Sequence, residues 1–214
     1  MIAFIDVETT DLDERTANLL EVGIIFTDDE LSEVAHCSVV VYWHPELLAM
    51  PDVVREMHAR SGLLREVEEA HMPLPLAAAF LVCECTNITV LRDFKLEETP
   101  VAGDSVGFDR RWLRHHMPQL DGLFNQHVID VSSINQLAKR WAPALYEARP
   151  KAGPDQHRVL SDCRGSIAKL RYYRESGFIG GASFEDLNPP TPQCSRESAG
   201  EGGCSCATCK APLS

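Results

Sequence analysis

The chain has few basic residues for its acidic content, and it lacks a long uninterrupted apolar run. Lys and Arg number 20 against 32 Asp and Glu, which gives a net charge of −12 at pH 7. Most of such a surface would repel a polyanion, so a protein that binds long nucleic acid by neutralising many phosphates is disfavoured. The longest apolar stretch, around residues 74–83, contains Pro75 and is followed by Glu84. It is shorter than the roughly 20 residues of a membrane helix, so we predict no membrane segment.

The N-terminal segment lacks the features of a secretory signal. It reads MIAFIDVETT, with no basic residue and with an acid at Asp6, whereas a signal begins with a basic region. We therefore expect a cytoplasmic protein. The acidic balance leaves one route to nucleic acid, because carboxylates that bind divalent cations reverse the local field and can hold a short substrate.

Length and composition divide the chain into one domain and a tail. At about 100–200 residues per domain, 214 residues allow one full domain and a short appendage. From residue 189 to 214, Pro, Gly, Ser and Cys supply 15 of 26 residues, and few large apolar groups remain to offset the entropy of ordering. We expect a folded domain over residues 1–186 and a flexible tail over residues 187–214.

The eight cysteines form two groups. Four lie within apolar or periodic segments, where a free cysteine behaves as a small hydrophobe; they are Cys37, Cys83, Cys85 and Cys163. The other four lie in the last 21 residues and are Cys194, Cys204, Cys206 and Cys209. Four thiols suffice for tetrahedral Zn²⁺, but the Cys-x-Cys spacing is not a common ligand pair. A zinc site and a tail without a metal both stay open.

Apolar runs in the folded part predict an α/β domain with a mixed five-stranded sheet flanked by helices. Three β-rich runs with short polar connections indicate an antiparallel meander; they span 2–7, 21–27 and 35–43. Two shorter runs, 100–103 and 128–131, each precede a helix-like stretch, which indicates parallel pairing. The last helix is expected from about residue 161 to 175 and is ended by Gly177.

The first candidate site residues are Asp6 and Glu8 at the end of the first run. Residues i and i+2 of a strand lie on the same face, so both carboxylates can face one cleft. Two acids on one face repel each other unless a cation lies between them. Asp-x-Glu also arises by chance, so the pair alone does not decide between a metal site and an ordinary surface.

Two further segments place polar residues where a strand ends and a helix begins, which is the usual position of sites in α/β proteins. Asp109, in GDSVGFDRR, either faces such a site or complements the positive end of the helix. Asp130 and Ser132, in IDVSS, either support a site or cap the next helix. Both interpretations stay open for each residue.

His157 and Asp162 lie at the start of the last helix. Asp162 borders the apolar stripe of that helix, so its carboxylate can reach the rim of the core. The alternative is an ordinary first-turn acid and a loop histidine. Together with Asp6, Glu8 and Asp109, however, Asp162 completes a set of four carboxylates. Four carboxylates and one histidine fit two-metal phosphoryl chemistry, in which the histidine accepts a proton from water.

Five segments resemble the oligoribonucleases, 3′-to-5′ exoribonucleases of the DEDDh exonuclease superfamily with a ribonuclease H-like fold. The similarity covers about residues 2–178. It is carried by IDVETTDL, MHARSGL, GDSVGFDRRWL with MPQLDGLF, IDVSSINQLAKRWAP and HRVLSDCRGSIAKLRYYRES. The resemblance implies an exonuclease domain over residues 1–186 that cleaves very short RNA, characteristically dinucleotides, to 5′-mononucleotides and acts as a homodimer.

The resemblance also implies roles for single residues. Two Mg²⁺ or Mn²⁺ ions would be bound by Asp6, Glu8, Asp109 and Asp162, and His157 would be the general base. The implied substrate contacts are Thr9, Leu12, His58, Ser105, His127 and Ser132. Among these, Leu12 matches a leucine that separates the two bases. Asp130 would contact residues of the site rather than the substrate or the metal ions.

This sequence departs from the family pattern at four positions. Val53 stands where a tryptophan stacks on a base, and Asp104 stands where an asparagine is usual. Gln126 and His127 stand where a partner subunit supplies Tyr and Arg to the 5′ phosphate. A neutral histidine offers one donor, so it does not replace the bidentate contact of arginine with phosphate.

Two alternatives follow from these departures and from the tail. One is a proofreading-type DEDDh exonuclease that acts on longer single strands of DNA or RNA, since the same five catalytic residues would serve it. The other belongs to a different class: a binding module that keeps the fold and recruits a partner through its Cys-rich tail. The presence of all five catalytic residues favours an enzyme over a module of this kind.

Overall fold

The protein folds around a mixed sheet of five strands in the order β3-β2-β1-β4-β5. A computed structural model describes residues 1–151 and 157–179. The strands are β1 (Ile2–Thr9), β2 (Leu19–Thr27), β3 (Glu33–Val40), β4 (Val101–Gly103) and β5 (Val128–Asp130). The first three pair antiparallel, and β1, β4 and β5 pair parallel. The predicted sheet of three antiparallel strands followed by two parallel ones is confirmed.

Eight α-helices surround this sheet in the described part of the chain. They are α1 (Asp52–Arg60), α2 (Leu63–Glu69), α3 (Leu74–Arg92), α4 (Val106–His116), α5 (Pro118–Asp121), α6 (Val131–Trp141), α7 (Pro143–Ala148) and α8 (Val159–Glu175). The last helix begins two residues earlier than predicted. It ends as expected before Gly177, whose φ of 72° lies in the left-handed region that glycine adopts without strain.

The two faces of the sheet carry separate cores. Ala3, Ile5 and Val7 of β1 pack on one face with residues of α3 and α4. Phe4 packs on the other face with residues of α6 and α8. Because side chains alternate along a strand, Asp6 and Glu8 continue the line of Phe4 and lie on the α8 side of the sheet.

Helix α8 lies close to the sheet because β2 carries a glycine beneath it. Gly23 is the antiparallel neighbour of Asp6. A Cβ atom at Gly23 would lie 2.5 Å from Cγ2 and 2.8 Å from Cβ of Val159, in the first turn of α8. The missing side chain therefore lets the first turns of this helix approach the end of β1 that carries the two acids.

The apolar segment of residues 74–83 forms the first part of a longer helix, α3, of 19 residues. Pro75 lies in the first turn, where a missing N–H is tolerated, and the helix continues past Glu84 to Arg92. By length and composition alone it is the one helix among the described residues that could cross a membrane. Its inner face, with Ala77, Leu81, Cys85 and Ile88, packs into the core.

The four cysteines of the folded part do not share one environment. Cys37, Cys85 and Cys163 are buried, as predicted for small hydrophobes, whereas Cys83 is exposed. The prediction was wrong for Cys83 because α3 is apolar on all sides, so its composition does not reveal which side faces the core. The four tail cysteines and the predicted boundary between residues 186 and 187 lie outside the described residues.

Candidate active site

The two acids of β1 stand at its C-terminal end on the face that α8 covers. Glu8 is 7% exposed and pairs in register with Glu21 of β2. Asp6 pairs with Gly23. The antiparallel ladder fixes the positions of both acids, because each is held in a strand with a bonded neighbour.

Asp109 reaches the same end of the sheet from the first turn of α4. It is 4% exposed, and its Oδ1 accepts a hydrogen bond of 3.1 Å from the backbone N–H of Val7, between the two acids of β1. The carboxylate lies near the positive end of α4, as the alternative interpretation expects. The bond to Val7 brings it to the site as well, so the two interpretations hold together.

His157 and Asp162 enter the site from the start of α8. The backbone N–H of His157 donates to Oδ2 of Asp162 at 3.0 Å, and His157 has a left-handed φ of 66°. Potential ligand atoms of Glu8, His157 and Asp162 all lie within 4.8 Å of one another. Residues separated by some 150 positions in the sequence thus form one cluster.

Burial raises the pKa of all four carboxyl groups, and repulsion from the other acids of the cluster adds to this effect at Asp6 and Glu8. Burial, followed by the charges of Asp109 and Glu8, raises the pKa of Asp6 well above its usual value. Burial and the nearby Asp162 raise the pKa of Glu8 to about 8. Burial raises the pKa of Asp109 to about 7, and it also raises the pKa of Asp162.

These carboxylates fit divalent cations. Several buried acids in one cleft are unfavourable to one another as anions, and a cation between them would reverse this effect. Oxygen donors of this type suit Mg²⁺ and Mn²⁺ better than softer metals. The predicted ligands Asp6, Glu8, Asp109 and Asp162 are thus of the chemical type that these two ions prefer.

Thr9, the last residue of β1, and Leu12, in the loop that follows, are two predicted substrate contacts. The hydroxyl of Thr9 donates to the carbonyl of Asp11 at 2.8 Å. Arg111 of α4 donates to the carbonyl of Leu12 at 3.1 Å and pairs with Glu14 at 2.8 Å. The side chain of Leu12 is 73% exposed. The backbone of this loop is thus held in place, while the side chain of Leu12 is exposed.

His58 of α1 lies fully buried behind the end of β1. Its Nε2 donates to the carbonyl of Thr9 at 2.9 Å, and its Nδ1 lies 3.8 Å from Oε2 of Glu8. Nδ1 has no hydrogen-bond partner among the described residues. Burial lowers the pKa of His58. The structure thus places this predicted substrate contact directly against one of the acids.

The loop after β4 and the start of α6 are joined by Asp130. Its Oδ1 accepts from the N–H of Ser105 at 3.1 Å and from the N–H of Ser132 at 2.9 Å. The hydroxyls of Ser105 and Ser132 lie 3.3 Å apart. Asp130 is therefore the N-terminal cap of α6, and it also fixes the two predicted substrate contacts next to each other.

Asp104, which stands where the family has asparagine, has a cationic partner in α8. Its Oδ2 forms an ion pair with Lys169 and lies 3.3 Å from the hydroxyl of Ser166. Asn135 of α6 donates to its other oxygen at 3.3 Å. The extra negative charge is thus paired within this chain.

His127 and Gln126 lie away from the cluster. His127 immediately precedes β5, whose first residue Val128 pairs with Val101 at the start of β4. The acids lie at the opposite, C-terminal ends of the parallel strands. Within one chain, His127 is therefore at the other end of the sheet from the carboxylates.

The sequence analysis missed two charged groups beside the site, of which one is buried and the other partly buried. Glu21 is 4% exposed in β2, and Arg158 follows the candidate base and donates to both oxygens of Glu21 at 3.1 Å. The signal for Glu21 was present, because it is the one acid in the continuous apolar strand LLEVGIIFT. The signal for Arg158 was absent, since its partners lie far away in the sequence.

Comparisons with known proteins agree with this geometry. Residues 3–170 match the RNase_T family model, described as an exonuclease. The chain is 40% identical over 182 residues to the oligoribonuclease of Streptomyces coelicolor, covering 83% of this chain and 87% of the relative. It is 36% identical over 190 residues to the oligoribonuclease of Rhodococcus jostii, covering 87% and 93%.

Solved structures show a similar fold at low sequence identity. The Mg²⁺- and Mn²⁺-bound form of S. pombe Pop2p has a TM-score of 0.61 at 14% identity, with 86% of each chain covered. A structure of exonuclease I has a TM-score of 0.60 at 16% identity; 81% of this chain is covered, which spans 40% of that protein. The ribonuclease H-like exonuclease fold is confirmed.

Proposed function

Because the chain belongs to the oligoribonuclease family of RNase_T exonucleases, we propose that it is a 3′-to-5′ exoribonuclease acting at the cluster of acids around Glu8. Its substrates are short oligoribonucleotides, from dinucleotides upward, and its products are 5′-mononucleotides. The observation that carries the proposal is the convergence of Glu8, His157 and Asp162 within 4.8 Å, beside Asp6 and Asp109.

Two divalent cations, Mg²⁺ or Mn²⁺, fit the four carboxylates Asp6, Glu8, Asp109 and Asp162. When bound, such a pair stabilises the charge on the attacking and leaving oxygens of a phosphodiester. The protein holds the ligands in fixed positions: Asp6 and Glu8 through the β1–β2 ladder, and Asp109 through the N–H of Val7.

His157 accepts the proton of the attacking water. A histidine is suited to this role because its ordinary pKa lies near neutral pH. Its backbone N–H donates to Asp162, which holds the residue at the edge of the acid cluster. The imidazole can therefore act on a water beside the scissile phosphate.

Substrate binding involves the residues around this cluster. Leu12 packs against a base, Thr9 and His58 form the wall beside Glu8, and Ser105 with Ser132 donates to the sugar–phosphate end. His127 lies at the far end of the sheet, so its contact with substrate would come from a second copy of the chain. This is the support for a homodimer.

An acidic protein suits a short substrate better than a long one. A dinucleotide presents few phosphates, so it needs few basic side chains, and the cations supply the attraction. One observation favours a second candidate, a proofreading-type exonuclease acting on longer single strands. Val53 is 73% exposed where the family has a stacking tryptophan, so the pocket for a two-residue substrate is less complete.

The test uses 5′-labelled RNAs of two, three, five and twenty nucleotides with matched DNAs, in Mg²⁺, in Mn²⁺ and with chelator. Rapid, metal-dependent conversion of the dinucleotide and slow attack on the twenty-mer are expected. Preference for long strands or for DNA would favour the second candidate. The control is Asp162→Ala, which should abolish turnover; full activity in that variant would contradict the assigned site.

A further inference from the structure

Arg158, the residue that follows the candidate base, makes four side-chain hydrogen bonds. Its guanidinium donates to both oxygens of Glu21 at 3.1 Å. It also donates to both oxygens of Glu66 at 2.8 and 2.7 Å. The side chain is 28% exposed, so most of it is shielded from water. Bidentate contacts of this kind fix the orientation of the guanidinium group as well as its distance from the carboxylate.

The two partners of Arg158 belong to different parts of the molecule. Glu21 lies in β2 as the register neighbour of Glu8. Glu66 lies in α2, which follows the helix that carries His58. Arg158 therefore joins the start of α8 both to the strand beside the acid cluster and to the helices beside the substrate cleft.

The backbone at this point is under an unusual constraint. His157 has a φ of 66°, a left-handed conformation that is unfavourable for a residue with a Cβ atom. Such a conformation persists where the surrounding contacts hold it. Arg158 is the next residue, and its carbonyl accepts the first backbone hydrogen bond of α8, from Asp162 at 3.0 Å.

We propose that Arg158 is a positioning residue for His157, which acts by holding the left-handed backbone of the base against Glu21 and Glu66. The inference rests on the proposed function, because it gives His157 a catalytic task. Arg158 itself does not touch the substrate. Without its contacts, His157 samples positions away from the attacking water, and Glu21 stays buried without its cationic partner.

The chain offers a matched control on the same helix. Arg164 forms a similar bidentate contact with Glu33, at 2.9 and 3.0 Å, on the outer part of the sheet. Removing that arginine costs one ion pair of α8 but leaves the start of the helix intact. A difference between Arg158→Met and Arg164→Met therefore reports on the position of the contact rather than on the loss of an ion pair.

The first experiment measures kcat and KM of Arg158→Met, Arg158→Lys and Arg164→Met on the labelled dinucleotide at saturating Mn²⁺. We expect kcat of Arg158→Met to fall about 10–100-fold, the usual effect of removing a residue that orients a catalytic group, with KM within about threefold. Arg158→Lys should recover part of kcat, because lysine keeps the charge but not the two-sided geometry. Arg164→Met should stay within about twofold of the wild type.

A second measurement reads the position of His157 without activity. In protein labelled with ¹⁵N-histidine, the ring signals of His157 are identified by their loss in His157→Asn. We expect them to shift or broaden in Arg158→Met and to stay unchanged in Arg164→Met. If Arg158→Met fails to fold, Glu66→Ala is used in its place. This variant removes one of the two carboxylate partners of Arg158 at an exposed position, and Glu69→Ala is its control on α2.

Several results would overturn the inference. These are unchanged kcat and His157 signals in Arg158→Met, an equal loss of kcat in Arg164→Met, or a rise in KM at constant kcat. If the wild type prefers another single strand, the same comparison is made on that strand. If the wild type degrades none, the proposed function fails, and the His157 signals still decide whether Arg158 positions this residue.

Discussion

The two halves of the domain position the candidate site residues in different ways. In the antiparallel half, Asp6 and Glu8 sit on β1, an eight-residue strand paired along its length with β2. In the parallel half, β4 and β5 have three residues each. Asp109, His157 and Asp162 then come from turns and from the first turns of helices.

The positions of these side chains are therefore fixed in two different ways. A ladder fixes a side chain through the register of the strand, because each residue has a bonded neighbour. A helix start is fixed by how the helix packs and by single residues that adopt special backbone angles. Ser105 and His157 both have a positive φ, of 57° and 66°, and each lies just before a helix that carries a candidate ligand.

The largest effect should come from Asp6→Asn in the ladder half, compared with Asp162→Asn in the helix half. Both variants lose a cation ligand, so turnover should fall at least about 10³-fold, since a cation contributes several kcal/mol to the barrier and about 1.4 kcal/mol is tenfold. In chelator, the melting temperature of Asp6→Asn should rise more, because burial and several neighbouring acids raise the pKa of Asp6, whereas His157 and Lys169 counteract the effect of burial on Asp162. Retention of a tenth of the activity in either variant would contradict the ligand assignment.

A second variant acts where the two halves meet. Gly23→Ala adds a Cβ atom that would lie 2.8 Å from Cβ of Val159, so α8 must move away from β2. A displacement of about 1 Å can cost about 10²-fold in rate, and overpacking costs about 1–3 kcal/mol in stability. Kinetics and urea unfolding measure the two effects.

The control for Gly23 lies on α8 itself. Gly165 has no atom within 4 Å of an added Cβ. Gly165→Ala should therefore keep full activity and gain up to about 1 kcal/mol in stability from helix propensity. Equal behaviour of the two alanine variants would show that the approach of α8 to β2 does not matter for the site.

The pH dependence of stability should change with metal. The pKa values of Glu8 and Asp109 are raised to about 8 and about 7, so between their ordinary values and these values the folded protein binds more protons than the unfolded one. Stability of the metal-free protein then falls as pH rises from about 4 to 8.

A cation binds the ionised carboxylates, so the gain in melting temperature on adding Mn²⁺ should grow from pH 5.5 to 8.5. Thermal unfolding in chelator and in Mn²⁺ measures this difference. The gain should be much smaller in Asp6→Asn. A gain that is constant with pH in the wild type would argue against cation binding by the raised carboxyl groups.

A smaller effect should follow from the backbone of Ser105. Both Ser105→Gly and Ser105→Val lose the hydroxyl contact with Ser132, but glycine adopts a φ of 57° freely and valine does not. The valine variant should be about 1–2 kcal/mol less stable than the glycine variant by urea unfolding. Equal stability would mean that the turn relaxes without cost.

The smallest effect is expected from the tail. Deletion of residues 187–214 should leave kcat and the melting temperature within experimental error, because the predicted domain ends at residue 186. Added Zn²⁺ should then have the same effect on the full-length protein and on the shortened protein. Loss of activity on deletion would mean that the tail belongs to the enzyme, and a zinc effect on the full-length protein alone would favour a metal site there.

Much of the fold was predictable from local patterns. The period of two along β1 placed Asp6 and Glu8 on one face, and the short apolar runs before helices indicated β4 and β5. The environment of α3 was not predictable in the same way. Its composition is apolar on all sides, so the exposure of Cys83 could not be obtained from periodicity.

The sequence by itself determined which residues are candidates for the site, because each acid and the histidine lie in a short segment with a recognisable pattern. Tertiary structure alone decided how they meet. The left-handed turn at His157 and the close approach of α8 over Gly23 depend on packing. The contact of Arg158 with Glu21 joins residues 137 positions apart. Such contacts form only when the helix docks on the sheet, and no local pattern encodes them.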